Sequence, residues 1–306
     1  MNFSPNSITQ TIIIPGISHA IDIRREDLNH PLVSGNKLRK LKYNLEEARK
    51  QNYEGLLTFG GAFSNHILAV AAAGHEMGFK TLGYIRGDEL KLQWNSNPTL
   101  QEAHQLGMEF VFLDRETYRK KSEAQFLNAL KLNYPDYYVI PEGGANELAI
   151  KGCEEILQPS DMDYDYICCA VGTGGTLSGL IRSAQNHQKI FGFSSLKGEF
   201  LEPEIRKFAK QKTNWEIVTD FHFGGYGKIT NELVAFINTF YKDTQVPLDP
   251  IYTGKMIFGI YQLFQRNYFS RDKKMLVIHT GGLQGIRGIN QMLKHKQMPQ
   301  IEYEIH

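Results

Sequence analysis

The stretch AVGTGGTLSGL, Ala170 to Leu180, joins an apolar run to a helix-like run through a knot of glycines and threonines. Upstream, DYICCAVG reads as a buried strand; downstream, TLSGLIRSAQNH reads as a helix. A strand that stops at glycines and restarts as a helix is the repeating unit of α/β architecture. Glycines let the backbone approach a ligand, and a helix N-terminus offers free N–H groups and a positive dipole end, so the stretch suits a phosphate. A tight turn with no ligand fits equally well. A dinucleotide does not: Gly172 and Gly174 fit G-x-G-x-x-G, but the third glycine falls on Leu177, and FGFSS ends without an acidic residue for a ribose.

The same alternation runs outward in both directions. IDIRRED reads as extended. SGNKLRKLKYN (Ser34 to Asn44) opens a helix with one apolar stripe, Leu38, Leu41, Leu45 and Ala48. GLLTFGG is a short buried strand, and SNHILAVAAAGHEMG an Ala-rich helix capped by Ser or Asn. KTLGYIRG, MEFVFL and YYVIP read as strands, with PTLQEAHQLG and one long helix to about Leu132 between them. Past EGGAN, a candidate crossing point, KIFGFSS is a strand and KMLVIHTGGLQGIRGINQML is strand, turn and helix. The pattern predicts α/β architecture with parallel sheets covered by helices. A length of 306 residues suggests two domains, although no repeat or Pro-rich linker marks a boundary.

Charge is balanced, 34 Lys+Arg against 33 Asp+Glu, so no broad basic field exists for nucleic acid or a membrane surface. No apolar run approaches the roughly 20 residues of a membrane span. MNFSPNSITQ lacks a signal-peptide pattern. Three cysteines, Cys153, Cys168 and Cys169, do not read as a disulfide framework. The expectation is a cytoplasmic protein binding neither nucleic acid nor membrane. HEMGF has no second His at zinc-helix spacing, so no metal site is expected; His279 is expected to pack or cap.

A second strand-glycine-helix unit, TFGGAFSNHILA (Thr58 to Ala69), places Ser64, Asn65 and His66 at a helix start, a second anion site suited to a carboxylate. Simple capping is the plainer explanation. DPIYTGKMIFG brings Tyr252 and Thr253, and IHTGGLQG brings Thr280 just past a strand, where ligands sit in open α/β sheets. Tyr252 could stack on an aromatic ring, or simply pack in a core.

Together, RREDLNHPLVSGNKLRKL, FGGAFSNH, AVGTGGTLSGL, GGYGK, DPIYTGK and HTGG resemble, in order and over nearly the whole chain, the 1-aminocyclopropane-1-carboxylate deaminase / D-cysteine desulfhydrase family. That family belongs to the pyridoxal 5'-phosphate (PLP) enzymes of the tryptophan-synthase-β-like fold (fold type II). The resemblance implies two open parallel-sheet α/β domains with PLP between them. The larger, PLP-binding domain is expected over 1–36 and 145–306, and the smaller over 37–144. It also implies a homodimer.

By the same resemblance Lys37 is the lysine that joins the cofactor aldehyde, and nearby positive charge would help keep its amine partly unprotonated. Lys40, one turn on, serves the phosphate, while Arg39 and Lys42 are expected in solvent. Gly172, Thr173, Gly174, Gly175 and Thr176 match the phosphate loop, and Asn65 the residue that bonds the ring hydroxyl. Ser64 and His66, with Asn65 between them, match the substrate-carboxylate side. Tyr252 matches the ring-side tyrosine and Tyr226 a second active-site tyrosine. Thr280 matches the partner of the pyridine nitrogen. Ser64, Tyr226 and Tyr252 join Lys37 as expected catalytic residues, and Thr253 is an expected substrate contact.

The reaction implied is α,β-elimination from a small amino acid. Ring-opening deaminases of the family typically carry Glu and Leu where this chain has Thr253 and Thr280, so D-cysteine is favoured, giving pyruvate, sulfide and ammonia. Ring opening of aminocyclopropane carboxylate to 2-oxobutyrate, racemisation, hydroxyamino-acid dehydration and a non-catalytic PLP-binding protein are the alternatives.

Overall fold

The computed structural model describes residues 3, 7–14, 16–17, 19–198 and 201–303. The chain begins with β1 (Thr9–Ile13) and β2 (Ala20–Arg25), paired antiparallel. A 3-10 turn over Glu26–Leu28 leads to α1 (Asn36–Lys50), which buries the stripe Leu38, Leu41, Leu45 and Ala48. Then come β3 (Gly55–Gly60), α2 (Asn65–Met77), β4 (Lys80–Arg86), α3 (Pro98–Gln105) and β5 (Met108–Leu113). Alanines in α2 let it lie close on the sheet, and at Gly74 a Cβ would come within 2.2 Å of the Thr81 side chain.

The long helix expected up to Leu132 is instead two, α4 (Arg115–Arg119) and α5 (Ala124–Asn133), separated by a 3-10 turn. Lys120, Lys121, Ser122 and Glu123 supply no apolar residue to continue a stripe. The break lets Tyr118 and Leu130 enter one cluster with Leu57, Phe59, Leu82 and Tyr84. With β6 (Tyr137–Val139) the four-stranded parallel sheet is complete, in the order β5-β4-β3-β6.

After α6 (Glu147–Glu154) come β7 (Tyr166–Val171), α7 (Gly175–Ser183), β8 (Lys189–Ser194), α8 (Leu201–Ala209) and β9 (Trp215–Val218). Two helices follow, α9 (Asn231–Thr244) and α10 (Thr253–Gln265), then β10 (Met275–His279) and α11 (Ile286–His295). The second sheet has six strands in the order β1-β2-β10-β7-β8-β9, parallel apart from β1. Its strands alternate between two apolar cores. Ile23, Cys168 and Val277 face one; Ile167, Cys169 and Leu276 face the other. Both faces are covered, as parallel sheets require, and Cys168 and Cys169 are the buried strand residues their apolar setting predicts. The α/β reading with two parallel sheets therefore holds. Among the described residues no helix is long and apolar enough to cross a membrane.

The sequence hides some elements. β1, β9 and α8 are short or weakly patterned, and their place depends on partners distant in the chain.

Candidate active site

The carboxyl ends of β3, β4, β7 and β10 converge on one cavity of about 400 Å³. It lies where the strand order of the larger sheet diverges, β8 to one side of β7 and β10 to the other.

One wall carries the lysines. Gly35 holds φ +65°, and a Cβ there would lie 2.0 Å from the Thr280 carbonyl oxygen, so α1 starts hard against the end of β10. The Asn36 amide donates to that same carbonyl at 3.2 Å. Lys37 and Lys40 both line the cavity. The Lys37 ammonium donates to Asn36 Oδ1 at 2.8 Å, and Asn36 Nδ2 donates to Thr176 Oγ1 at 2.9 Å. Burial brings Lys37 down to about 7, with the Lys40 charge a secondary cause. Neighbouring charge helps as expected, and desolvation is the larger cause. Lys40 is buried, also lowered by burial, and donates to the Gly143 carbonyl at 3.0 Å.

Of the remaining basic groups of this stretch, Arg39 is not in solvent as expected, while Lys42 lies partly exposed at the surface. Arg39 is buried and forms a bidentate pair with the buried Glu26, at 2.8 and 2.9 Å. Lys42 pairs with both oxygens of Glu155 at 2.8 Å. These two anchor the helix that presents Lys37 and Lys40.

Facing the lysines is the loop from β7 into α7. Gly174 takes φ +83° at the cap of α7, and a Cβ on Gly175 would lie 3.5 Å from Lys40 Nζ. Lys40 thus stands at the positive end of a helix dipole. That arrangement is repulsive until an anion sits between them. Thr173 and Thr176 line the cavity here, and a Cβ on Gly172 would meet the Tyr252 ring at 3.0 Å.

The opposite wall is the start of α2. Ser64 caps it, accepting from the Ile67 amide at 3.4 Å. The Asn65 and His66 amides belong to the first turn, where no intrahelical acceptor exists. The His66 imidazole is committed elsewhere. Thr58 Oγ1 gives its one proton to the Ile140 carbonyl at 2.9 Å, so its 2.8 Å contact with His66 Nε2 requires that nitrogen to be the donor. Nδ1 is left as a buried, unpartnered acceptor, and burial with the Lys37 and Lys40 charges holds the ring neutral. On this wall His66 therefore offers its backbone N–H, not its ring.

Tyr252 and Tyr226 line the cavity edge to face, with ring centroids 6.1 Å apart. Burial keeps both phenols protonated, raising Tyr252 well above its ordinary value. Thr280 lines the cavity. Thr253 does not, which corrects its expected substrate contact. It is fully buried, and its hydroxyl donates to Asp249 Oδ1 at 2.7 Å and accepts from the Asp249 amide at 2.9 Å. Asp249 also accepts from the amides of Ile251, Tyr252 and Thr253, capping α10. The sequence order Tyr-Thr suggested two neighbours in one site, but successive positions at a helix start point about 100° apart.

The donor set fits PLP. Two lysines one turn apart can serve an aldehyde and a phosphate arm, and the dipole facing Lys40 demands an anion. Asn65 Oδ1 is buried without a partner, as a group awaiting a polar ring substituent would be.

A family model described as pyridoxal-phosphate dependent enzyme matches residues 6–281. A Thermotoga maritima protein provisionally named 1-aminocyclopropane-1-carboxylate deaminase is 31% identical over 287 residues, covering 87% of this chain and 89% of its own. An Arabidopsis thaliana protein named bifunctional D-cysteine desulfhydrase/1-aminocyclopropane-1-carboxylate deaminase, mitochondrial, is 29% identical over 308 residues, covering 89% of this chain and 75% of its own. A crystal structure of an ACC deaminase homologue is 30% identical, covers 91% of this chain and 90% of its own, and superposes with a TM-score of 0.78.

Proposed function

Because the chain belongs to the pyridoxal-phosphate-dependent enzymes, in the group of the aminocyclopropane carboxylate deaminases and D-cysteine desulfhydrases, we propose that it converts D-cysteine and water to pyruvate, sulfide and ammonia. The observation that carries this reading is a cavity-lining amine, Lys37, brought by burial to about 7. Such an amine is partly unprotonated at neutral pH and can serve first as nucleophile and then as base.

The residues divide the work as follows. Lys37 would hold the cofactor covalently, and its amine, when free, would take the Cα proton of the substrate. Lys40, the amides of Gly174 and Gly175 and the Thr176 hydroxyl hold the phosphate, with Gly172 and Thr173 shaping the loop. Asn65 would bond the ring hydroxyl, Tyr252 would pack beside the ring, and the Thr280 hydroxyl would serve the ring nitrogen, all three lining the cavity. Ser64 Oγ and the first-turn amides of α2 take the substrate carboxylate. Tyr226 stands at the open side, where a phenol can protonate the departing thiolate. Bound PLP supplies an electron sink for the charge left at Cα. A hydroxyl such as that of Thr280, unlike a carboxylate, would not favour full protonation of a ring nitrogen, which suits elimination.

Aminocyclopropane carboxylate has no Cα hydrogen, so a base poised for Cα has nothing to remove from it. With Thr253 turned away from the cavity, the residue argument for D-cysteine rests on Thr280 and this base. The test is a substrate panel on purified enzyme. Sulfide and pyruvate from D-cysteine are expected, with little 2-oxobutyrate from the cyclopropane. Efficient 2-oxobutyrate formation without sulfide release would overturn the choice of substrate. A two-fold homodimer is part of the proposal, and light scattering should give twice the chain mass.

A further inference from the structure

Behind the cavity lies a buried ammonium group that none of these steps uses. Lys255 sits on α10, three residues after Tyr252, and is 2% exposed. Its Nζ donates to the His222 carbonyl at 3.0 Å and to the Gly225 carbonyl at 2.9 Å. Among the described residues no carboxylate lies within ion-pair distance of it. Burial lowers it to about 8, with the Asp249 charge opposing. A core position filled by an ammonium bonded only to neutral carbonyls is costly, and an apolar side chain of similar length would pack there without the desolvation.

What Lys255 bonds is the turn that carries Tyr226. Phe223, Gly224, Gly225 and Gly227 have φ of 55°, 93°, 113° and 69°, so most of this turn is left-handed. Three of these residues are glycines, which hold such a conformation weakly because many others are open to them. The turn's own backbone bonds run from the Gly225 amide to the His222 carbonyl and from the Lys228 amide to the Gly225 carbonyl, at 3.0 and 3.1 Å, and the Gly224 amide donates to His222 Nδ1 at 2.9 Å. Lys255 therefore takes the second lone pair of both carbonyls on which the turn closes. Although the hydroxyl end of Tyr226 is desolvated beside Tyr252, the residue as a whole is 47% exposed, so packing on the rest of it is light.

We propose that Lys255 is a positioning residue: it ties the 222–227 turn to α10, so that Tyr226 and Tyr252 face the substrate as one rigid pair. The inference rests on the substrate-facing reading of the two tyrosines, and nothing in it involves Lys255 touching substrate.

The experiment compares wild-type holoenzyme with Lys255→Met, which keeps the length and removes the donor. Lys255→Gln, which keeps a shorter donor, covers the case where Met perturbs folding. Hydrogen exchange of the amides of residues 223–228 should quicken about tenfold or more in Lys255→Met, with β7, β8 and α7 unchanged and cofactor content equal. Lys255→Gln should restore part of the protection. In kinetics kcat should fall about tenfold with KM changed less, and the loss should vanish in a Tyr226→Phe background, since a cycle reports coupling only between linked residues. Unchanged exchange at 223–228, or exchange raised equally across α10 and β8, would overturn the tie. A loosened turn with untouched kinetics would instead sink the role given to Tyr226 and leave the tie standing.

Discussion

The wall proposed for the phosphate and the wall proposed for the substrate are built by different means. On the phosphate side the donors come from backbone and from buried side chains already held in place: Asn36 to Thr176, Lys37 to Asn36, Lys40 to Gly143. On the substrate side the donors are a capping Ser, two first-turn amides and a half-exposed tyrosine, with Phe63 at 45% exposure beside them. The first side is fixed before any ligand arrives, while the second leaves side chains free to adapt. On the proposed assignment, grip on the cofactor comes from rigidity, and choice of substrate from a few replaceable groups.

Substitutions on each side should separate these roles. Lys37→Ala should lower kcat/KM at least about a thousandfold, since it removes both nucleophile and base. Borohydride reduction followed by peptide mapping should then find no cofactor adduct, and an adduct on another lysine would break the assignment. Lys40→Ala and Thr176→Val should each raise the cofactor dissociation constant roughly tenfold to a hundredfold, one charge-assisted hydrogen bond being worth about 1.5 to 3 kcal/mol. Turnover of the saturated enzymes should change less. Equal losses in both measurements would blur the contrast between the two walls.

Protonation offers a gentler probe. Lys37 is lowered to about 7, so its reactive, unprotonated form grows as pH rises through that value and levels off above it. Covalent cofactor capture by the apo-protein should therefore quicken about tenfold from pH 6 to pH 8, followed by stopped-flow absorbance. A steeper rise, near a hundredfold with no levelling, would place the lysine in a wetter setting. The smallest effect is expected from Ser64→Ala. Loss of one of three donors to a carboxylate, about 1 kcal/mol, should raise KM roughly fivefold with kcat held.

What could be read in the sequence was local. The stripe of α1, the glycine turn after β7 and the Ser cap of α2 are each written within a dozen residues, and each gave a site residue. What could not be read depends on partners far away. Arg39 looked solvated because Glu26 meets it only after the 3-10 turn folds back. Thr253 looked like a ligand contact because its commitment to Asp249 is a matter of direction at a helix start. Lys255 gave no signal at all: a lysine in an apolar helix face declares its purpose only when the carbonyls it holds, thirty residues earlier, are seen.

The order of strands also sets a timetable for synthesis. The four-stranded sheet uses a contiguous stretch, from Gly55 to Val139, and can close while the ribosome is still translating. The six-stranded sheet cannot, because β2 pairs with β10, Ile23 lying beside Val277 across almost the whole chain. Until β10 emerges, the edge of β2 that it will cover stays open, and such distant pairing is slow to form. The contact of Gly35 with Thr280 is made by that same late strand. The nascent chain therefore carries its lysine helix without a floor, and the cofactor site comes into being in the last act of folding.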